Sequence, residues 1–216
     1  MGRKTQKVLG VLMPDWITGY TKRKSAIPFN PTRSERVRPE TLQPVYTVFR
    51  YNAEEYTEGD STLGKACAFA GPDMKVTWIN VDGLKKSDIE DLAATYNIHQ
   101  LIVEDILSSG QRAKMDETDE VIFCLLPMLY YNSGTGEIET EQVSIVLGKG
   151  FVISFQEDKE RDVFEPVRDR IRNNHIKTRQ RPADYLCYSL IDVIVDSYFG
   201  VIDKINERLE RLEDTL

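Results

Sequence analysis

The stretch 183–216 constrains the fold of this chain more than any other segment, because it reads as one long helix with acids and apolar residues on opposite faces. At about 100° per residue, Asp192, Asp196, Asp203, Glu207, Glu210 and Asp214 fall within an arc of roughly 60°. Ile194, Tyr198, Val201, Ile205, Leu209, Leu212 and Leu216 cluster on the far side, which predicts a helix packed by that face against another element. Lys204, Arg208 and Arg211 flank the acids without interrupting them. No Gly, Asn or Pro follows the last apolar position. The usual stop signals are therefore absent, and the pattern predicts a helical region that continues past Leu216.

A chain of 216 residues with 41% hydrophobic content has enough apolar surface for a real core, in one large domain or one domain with an appendage. The three cysteines, Cys67, Cys124 and Cys187, are odd in number and embedded in apolar sequence. They predict reduced core thiols in a cytosolic compartment, not a disulfide framework or a Cys-based zinc site. The net charge of −7 hides an uneven distribution, with residues 1–50 rich in Lys and Arg and the C-terminal helix acidic. No uninterrupted apolar run reaches the ~18 residues of a membrane span, and Met1-Gly2-Arg3-Lys4 is not followed by a signal-peptide core. The expectation is a soluble, cytosolic piece.

Residues 1–44 carry Pro14, Pro28, Pro31, Pro39 and Pro44 among many bases and read as a basic arm with at most one short strand. Within it, Lys22-Arg23-Lys24 reads as a solvated charge run rather than a phosphate or lipid contact. Val45 to Tyr51 and Lys75 to Gly83 read as strands, the second ending in a turn. Ser87 with Glu90 has capping-box spacing and predicts a helix from Ser87 to Tyr96. A shorter helix, Gln100 to Leu107, follows Asn97-Ile98-His99. Glu120 to Tyr131, Glu137 to Leu147 and Phe151 to Gln156 are β-rich and joined by loops of hairpin length, which predicts antiparallel pairing. Pro127 inside the first of them predicts an edge position or a bulge. Asp162 to Asn173 reads as helix, and Lys177 to Arg181 as a basic loop. The divisions expected are 1–44, 45–182 and 183–216.

The residues offer little to an enzyme. His99 and His175 are not paired at metal-ligand spacing and read as loop or surface residues. No Gly-rich strand-to-helix junction cradles a phosphate, and nucleophile-elbow and zincin motifs are missing. Carboxylates are the exception, since hard cations such as Mg2+ take oxygen ligands, keep several waters and need only one or two well-placed acids. Glu104-Asp105 closes the short helix, and Asp192 and Asp196 lie four apart on one face of the last one. By spacing alone, such pairs read as solvated faces.

Ordered motifs change that reading. From Thr77 to Leu216 the chain resembles the cytoplasmic domain of the CorA family of magnesium and cobalt transporters. The resemblance rests on Thr77-Trp78-Ile79-Asn80-Val81-Asp82-Gly83, on Ile98 to Leu107 with Gln111-Arg112, and on Glu139 to Leu147 with Phe155-Gln156-Glu157. Asp162 to Arg168, Ala183-Asp184-Tyr185-Leu186 and Tyr188-Ser189-Leu190-Ile191-Asp192 extend it. It implies an α/β/α sandwich with a mixed, largely antiparallel sheet, followed by a long C-terminal helix. It further implies a homopentameric channel on the cytoplasmic face of the inner membrane, anchored by C-terminal transmembrane helices outside these residues. In the family, Mg2+ bound between neighbouring cytoplasmic domains holds the pore closed, and Co2+ can take its place.

Carried onto this sequence, the resemblance assigns Asp105 as a regulatory metal ligand with Glu104 beside it, and Asp192 to a second site. Asp196 is the weaker candidate, and the main partner carboxylate of Asp105 lies on a stalk outside this chain. Gln100 and Ala113 stand where many relatives have proline, which alters loop geometry around Asp105 without removing its carboxylate. Mg2+, Co2+, Ni2+ and Zn2+ transporters share this architecture, so a zinc-transporting relative stays open. So does a structural adaptor whose last helix pairs with a partner helix. A metal-dependent hydrolase rests only on the acidic pairs, and no nucleic-acid partner is expected.

Overall fold

A computed structural model of the protein describes residues 43–70, 74–118, 121–173 and 176–214. The basic arm expected over 1–44 and the histidine at 175 lie almost wholly or wholly outside these residues. In chain order the elements are β1 (Val45–Tyr51), β2 (Tyr56–Ser61), α1 (Leu63–Cys67), β3 (Val76–Asp82), α2 (Lys86–Tyr96), α3 (Gln100–Leu107) and β4 (Lys114–Glu117). Then come β5 (Val121–Asn132), β6 (Glu137–Gly148), β7 (Phe151–Gln156), α4 (Glu165–Arg172), α5 (Ile176–Arg179) and α6 (Ala183–Glu213).

The strands form one seven-stranded sheet in the order β2-β1-β3-β7-β6-β5-β4. Every neighbouring pair is antiparallel except β3 with β7, whose parallel register places Trp78 beside Val152 and Asp82 beside Gln156. The period-2 pleat sorts side chains to two faces. Ile79, Val81, Val146 and Phe155 join Ile89, Leu92, Ile102 and Ile106 under α1, α2 and α3. Trp78, Val143, Ile145 and Val152 join Phe164, Val167, Leu186, Leu190 and Ile194 under α4 and α6. The result is an α/β/α sandwich with a mixed, largely antiparallel sheet and a long C-terminal helix.

Trp78 anchors the second layer. It is fully buried, stacks on Phe49 with centroids 5.1 Å apart, meets the edge of Phe164 and donates its indole N–H to Ser154 Oγ at 2.9 Å. Next to it, Asn80, Asp82, Ser154 and Gln156 form a buried polar network. Asn80 Nδ2 and Gln156 Nε2 both donate to the Asp82 carboxylate, so the polar atoms are paired rather than orphaned. Burial and the neighbouring Asp162 charge still push the Asp82 pKa up, against those hydrogen bonds and Arg168.

Several expectations need correction. Ser87 does not cap α2: Lys85 holds the N-cap position without a side-chain hydrogen bond to the helix amides, and the Ser87 hydroxyl donates to the Asp88 carboxylate beside it. The helix expected from Asp162 begins at Glu165, because Asp162 instead accepts the Phe164 amide at 2.7 Å and Pro166 occupies the first turn. The segment read as a basic loop from Lys177 overlaps the single turn of α5, which begins one residue earlier at Ile176. Strands β2 and β4 and helix α1 were not anticipated. Pro127 is paired in regular register with Gln142 and not bulged, and β4 reaches only as far as Leu125. The missing N–H of Pro127 therefore falls on a local edge, where it costs the sheet nothing.

Helix α6 is long and apolar enough to cross a membrane by length and composition. As far as Val201 it packs as a core helix, burying Leu186, Cys187, Leu190, Val193, Ile194 and Val201. The predicted apolar face holds only that far. Leu209 and Leu212 are 53% and 54% exposed.

Candidate functional site

The carboxylates singled out by sequence occupy two separate surfaces. On α3, Ile102, Val103 and Ile106 face the core, which turns Glu104 outward and leaves Asp105 at the boundary. The helix is capped at its start by His99, whose Nδ1 accepts the Leu101 amide at 3.2 Å. This gives one histidine a structural role. At its end, the Glu104 carbonyl accepts the Ser108 amide and hydroxyl, so Glu104 is fixed in backbone but free in carboxylate direction.

Asp105 is held tightly. Its Oδ2 takes Lys114 Nζ at 2.5 Å, its Oδ1 takes Gln111 Nε2 at 3.1 Å, and its carbonyl takes Gln142 Nε2 at 3.1 Å. Lys114 also lies 3.5 Å from Asp116. Burial opposes the Lys114 charge, but the Asp105 hydrogen bond and charge outweigh it and hold the ammonium above its ordinary pKa. Asp105 is thus an oriented carboxylate with its own fixed counter-ion.

On α6, Asp192 is half-buried and accepts a long 3.4 Å hydrogen bond from Tyr188 Oη. Asp196 is exposed. Further along the acidic arc, Glu207 pairs with Lys204 at 3.0 Å, while Arg208 turns away to the Gly136 carbonyl. Asp105 belongs to the α1–α3 layer and Asp192 to the α4–α6 layer, with the sheet between them. A single chain therefore cannot put both on one ion. Among the described residues, no three or more His, Cys, Asp or Glu side chains converge as a metal cage. What each surface offers is one oriented carboxylate oxygen donor, which fits a hard, largely hydrated cation better than a dehydrated transition metal.

Sequence reasoning missed the retinue of Asp105. Gln111 and Gln142 belonged to recognised motifs, but their amides gained a role only when β6 and the α3–β4 loop came together. It also missed a second apolar line on α6, in which Tyr188, Val195, Phe199 and Ile202 are exposed beside the acids. Their spacing of seven, four and three residues is helical, and counting it would have revealed the line.

Residues 73–216 match the family described as CorA-like Mg2+ transporter protein. The chain is 40% identical over 168 residues to the cobalt/magnesium transport protein CorA of Thermotoga maritima, covering 77% of this chain and 48% of that protein. It is 29% identical over 144 residues to the putative metal ion transporter YfjQ of Bacillus subtilis, covering 67% of this chain and 43% of that one. The chain thus spans about half the length of the curated relatives it matches. Its fold is similar to that of the soluble domain of CorA from Methanocaldococcus jannaschii, with a TM-score of 0.59 at 15% identity over 82% of this chain and 66% of that one. The full-length CmaX protein gives 0.61 at 15% identity over 80% and 52%.

Proposed function

Because the chain belongs to the CorA-like Mg2+ transporter family, we propose that it is the cytosolic metal-sensing and gating part of a divalent-cation channel carrying Mg2+ or Co2+. The observation that carries this reading is the separation of Asp105 and Asp192 onto opposite faces of the sheet. Each is half of a site, so a cation bridging subunits gains ligands that one chain cannot supply. Like charges facing each other across an interface repel, and a divalent ion between them reverses the sign of that interaction. Bound Mg2+ then selects the closed assembly through its differential affinity for it. In this reading Asp105 and Asp192 are ligands, Glu104 assists at the first site, and Asp196 is the lesser candidate at the second. The working assembly is a homopentamer at the cytoplasmic face of the membrane, and Co2+ substitutes for Mg2+ as regulator. The family's transport function, and the relatives' names, favour transport over catalysis.

The test is Mg2+ inhibition of transport in the intact transporter. Asp105→Ala and Asp192→Ala should each raise the Mg2+ concentration that half-inhibits uptake. Unchanged inhibition in both variants refutes the sensing role. A second reading, helix pairing without metal sensing, is favoured by the exposed apolar line on α6. Sedimentation of the assembled protein with and without millimolar Mg2+ separates the two, because only sensing makes association metal-dependent.

A further inference from the structure

Two thiols meet beneath α6. Cys124 on β5 and Cys187 on α6 are free, buried and part of the same apolar layer. The packing of that layer brings them level. Further along, Ser197 Oγ donates to Met128 Sδ at 3.3 Å and the Tyr198 hydroxyl donates to the Pro127 carbonyl, which pins α6 over β5. Cys187 lies ten residues before Ser197, about 15 Å back along a helix rising 1.5 Å per residue. Cys124 lies four residues before Met128, about 13 Å back along a strand rising 3.3 Å per residue. Cys187, Leu190, Ile194 and Ser197 follow helical spacing, and Cys124 and Met128 share one face of the strand, so each sulfur lies on the side that carries its anchor.

The thiols accordingly touch: the Cys187 thiol donates a hydrogen bond to the Cys124 sulfur. That bond lowers the Cys124 pKa against burial, and together with burial it raises that of Cys187. One sulfur is thereby poised to attack and the other to remain a thiol. Among the described residues no third His, Cys, Asp or Glu joins them, so the pair lacks the ligand count of a thiolate metal cage.

We propose that Cys124 and Cys187 form a reversible disulfide, closed by a hydroperoxide and opened by a low-molecular-weight thiol, which locks the first turns of α6 onto the sheet. The Cys124 thiolate attacks one peroxide oxygen and the O–O bond breaks, leaving a sulfenic acid and a hydroxide that takes up the proton the thiol released. The Cys187 sulfur then attacks the sulfenic sulfur, and its proton departs with the hydroxyl as a second water. In total, two thiols and one hydrogen peroxide give one disulfide and two waters, with two electrons passing from sulfur to peroxide. Two small thiols reverse it, restoring both S–H groups and leaving as their own disulfide. At 6% and 5% exposure the two residues admit oxidant slowly, through local opening of the fold. The second step is intramolecular and therefore fast. The switch rests on the thiols alone and does not require Asp192 to meet metal.

The experiment exposes the folded 216-residue chain to millimolar hydrogen peroxide in EDTA for several hours, alkylates the remaining thiols with iodoacetamide in urea, and maps the peptides by mass spectrometry. A Cys124–Cys187 cross-link is expected, and dithiothreitol should abolish it. The oxidised chain should melt about 5–15 °C higher, as a disulfide closing a long loop does in a chain of this size, and dithiothreitol should return it to the starting value. Cys67→Ser removes the third thiol and should cross-link as the parent does. Cys187→Ala should stop at the Cys124 sulfenic acid, which dimedone captures. Recovery of Cys124 and Cys187 as alkylated thiols overturns the proposal, as does a cross-link to Cys67 or between chains in place of this one. An oxidised chain that melts at or below the reduced one overturns the lock, and absence of the dimedone adduct overturns Cys124 as the attacking sulfur.

Discussion

A cation bound as proposed at Asp105 would have to compete with Lys114, and removal of that lysine is the sharpest test of the carboxylate's proposed role. Its Nζ lies 2.5 Å from Asp105 Oδ2, with 32% and 21% of the two side chains exposed. A hard divalent ion bound to Asp105 at about 2.1 Å would stand roughly 4–5 Å from the ammonium. In the dielectric of water, a double and a single positive charge at that distance repel by about 1.8 kcal/mol. Physiological salt, with a Debye length of about 8 Å, removes roughly half of this. Partial burial restores some of the loss, so about 1–2 kcal/mol remains, equivalent to a five- to thirtyfold weakening of cation affinity at about 1.4 kcal/mol per decade. Lys114→Met keeps the stem and deletes the charge. The expected result in the intact transporter is a five- to thirtyfold fall in the Mg2+ concentration that half-inhibits uptake. Losing a partly exposed ion pair should cost under about 1 kcal/mol of stability. If circular dichroism shows a folded variant whose half-inhibition is unchanged or shifted upward, Asp105 is not a cation ligand opposed by Lys114, and the electrostatic reasoning fails with it.

Three further outcomes are expected. Trp78→Ala should lower unfolding free energy by about 3–5 kcal/mol in urea titration, because the ring is fully buried between Phe49 and Phe164; a loss below 1 kcal/mol would contradict its anchoring role. Burial holds the Glu141 pKa above the usual range despite the Glu157 and Asp158 amides, and Asp82 behaves alike. An acid raised by folding contributes stability that is present below its unfolded pKa and lost as pH rises through the folded value. The melting temperature should therefore rise as pH falls from neutral toward mild acid. It should drop again once Glu165, held low by Arg172 and then Arg168 against burial, takes up its proton. A steady decline from neutral pH downward would contradict the sign, and Glu141→Gln should flatten the rise. Phe199→Ser, at a position 61% exposed, should change stability by no more than about 0.5 kcal/mol yet reduce self-association in sedimentation; unchanged association would remove α6 from the interface.

Legibility in the sequence followed the strength of the periodic signal. The strands Val45–Tyr51 and Phe151–Gln156 and the helix Gln100–Leu107 carry dense apolar patterns, and their bounds could be read to the residue. Strand β2, Tyr-Thr-Glu-Gly-Asp-Ser, carries almost no such signal, being polar and exposed at the sheet edge. It is a strand because β1 offers it a full ladder of backbone partners from Tyr46 to Tyr51, a tertiary cause that local propensity cannot register. The capping box failed for a related reason: Ser87 and Glu90 have the right spacing, but Lys85 and Tyr46 both bond Asp88 and draw the helix start back to Lys86. At the carboxylates, motif and position were legible, whereas Lys114 as the counter-ion of Asp105 was not. That pair depends on β4, the four-residue strand the sequence did not announce.

The same pair bears on how a sensor of this kind would set its threshold. An unopposed carboxylate at an interface repels its counterpart and gathers any cation present, including abundant monovalent ones. Asp105 instead is neutralised within its own chain by Lys114 and oriented by Gln111. An incoming ion must then offer more than a single charge can, which a divalent cation with a second carboxylate from a neighbouring chain does. Among the described residues Asp192 has no such charged partner, only a long hydrogen bond from Tyr188, so the two proposed half-sites would differ in electrostatic set-point. The Asp192 surface would fill at lower cation concentration and the Asp105 surface at higher. Their placement in opposite layers of one sandwich would let the second event act on an interface the first has already brought together.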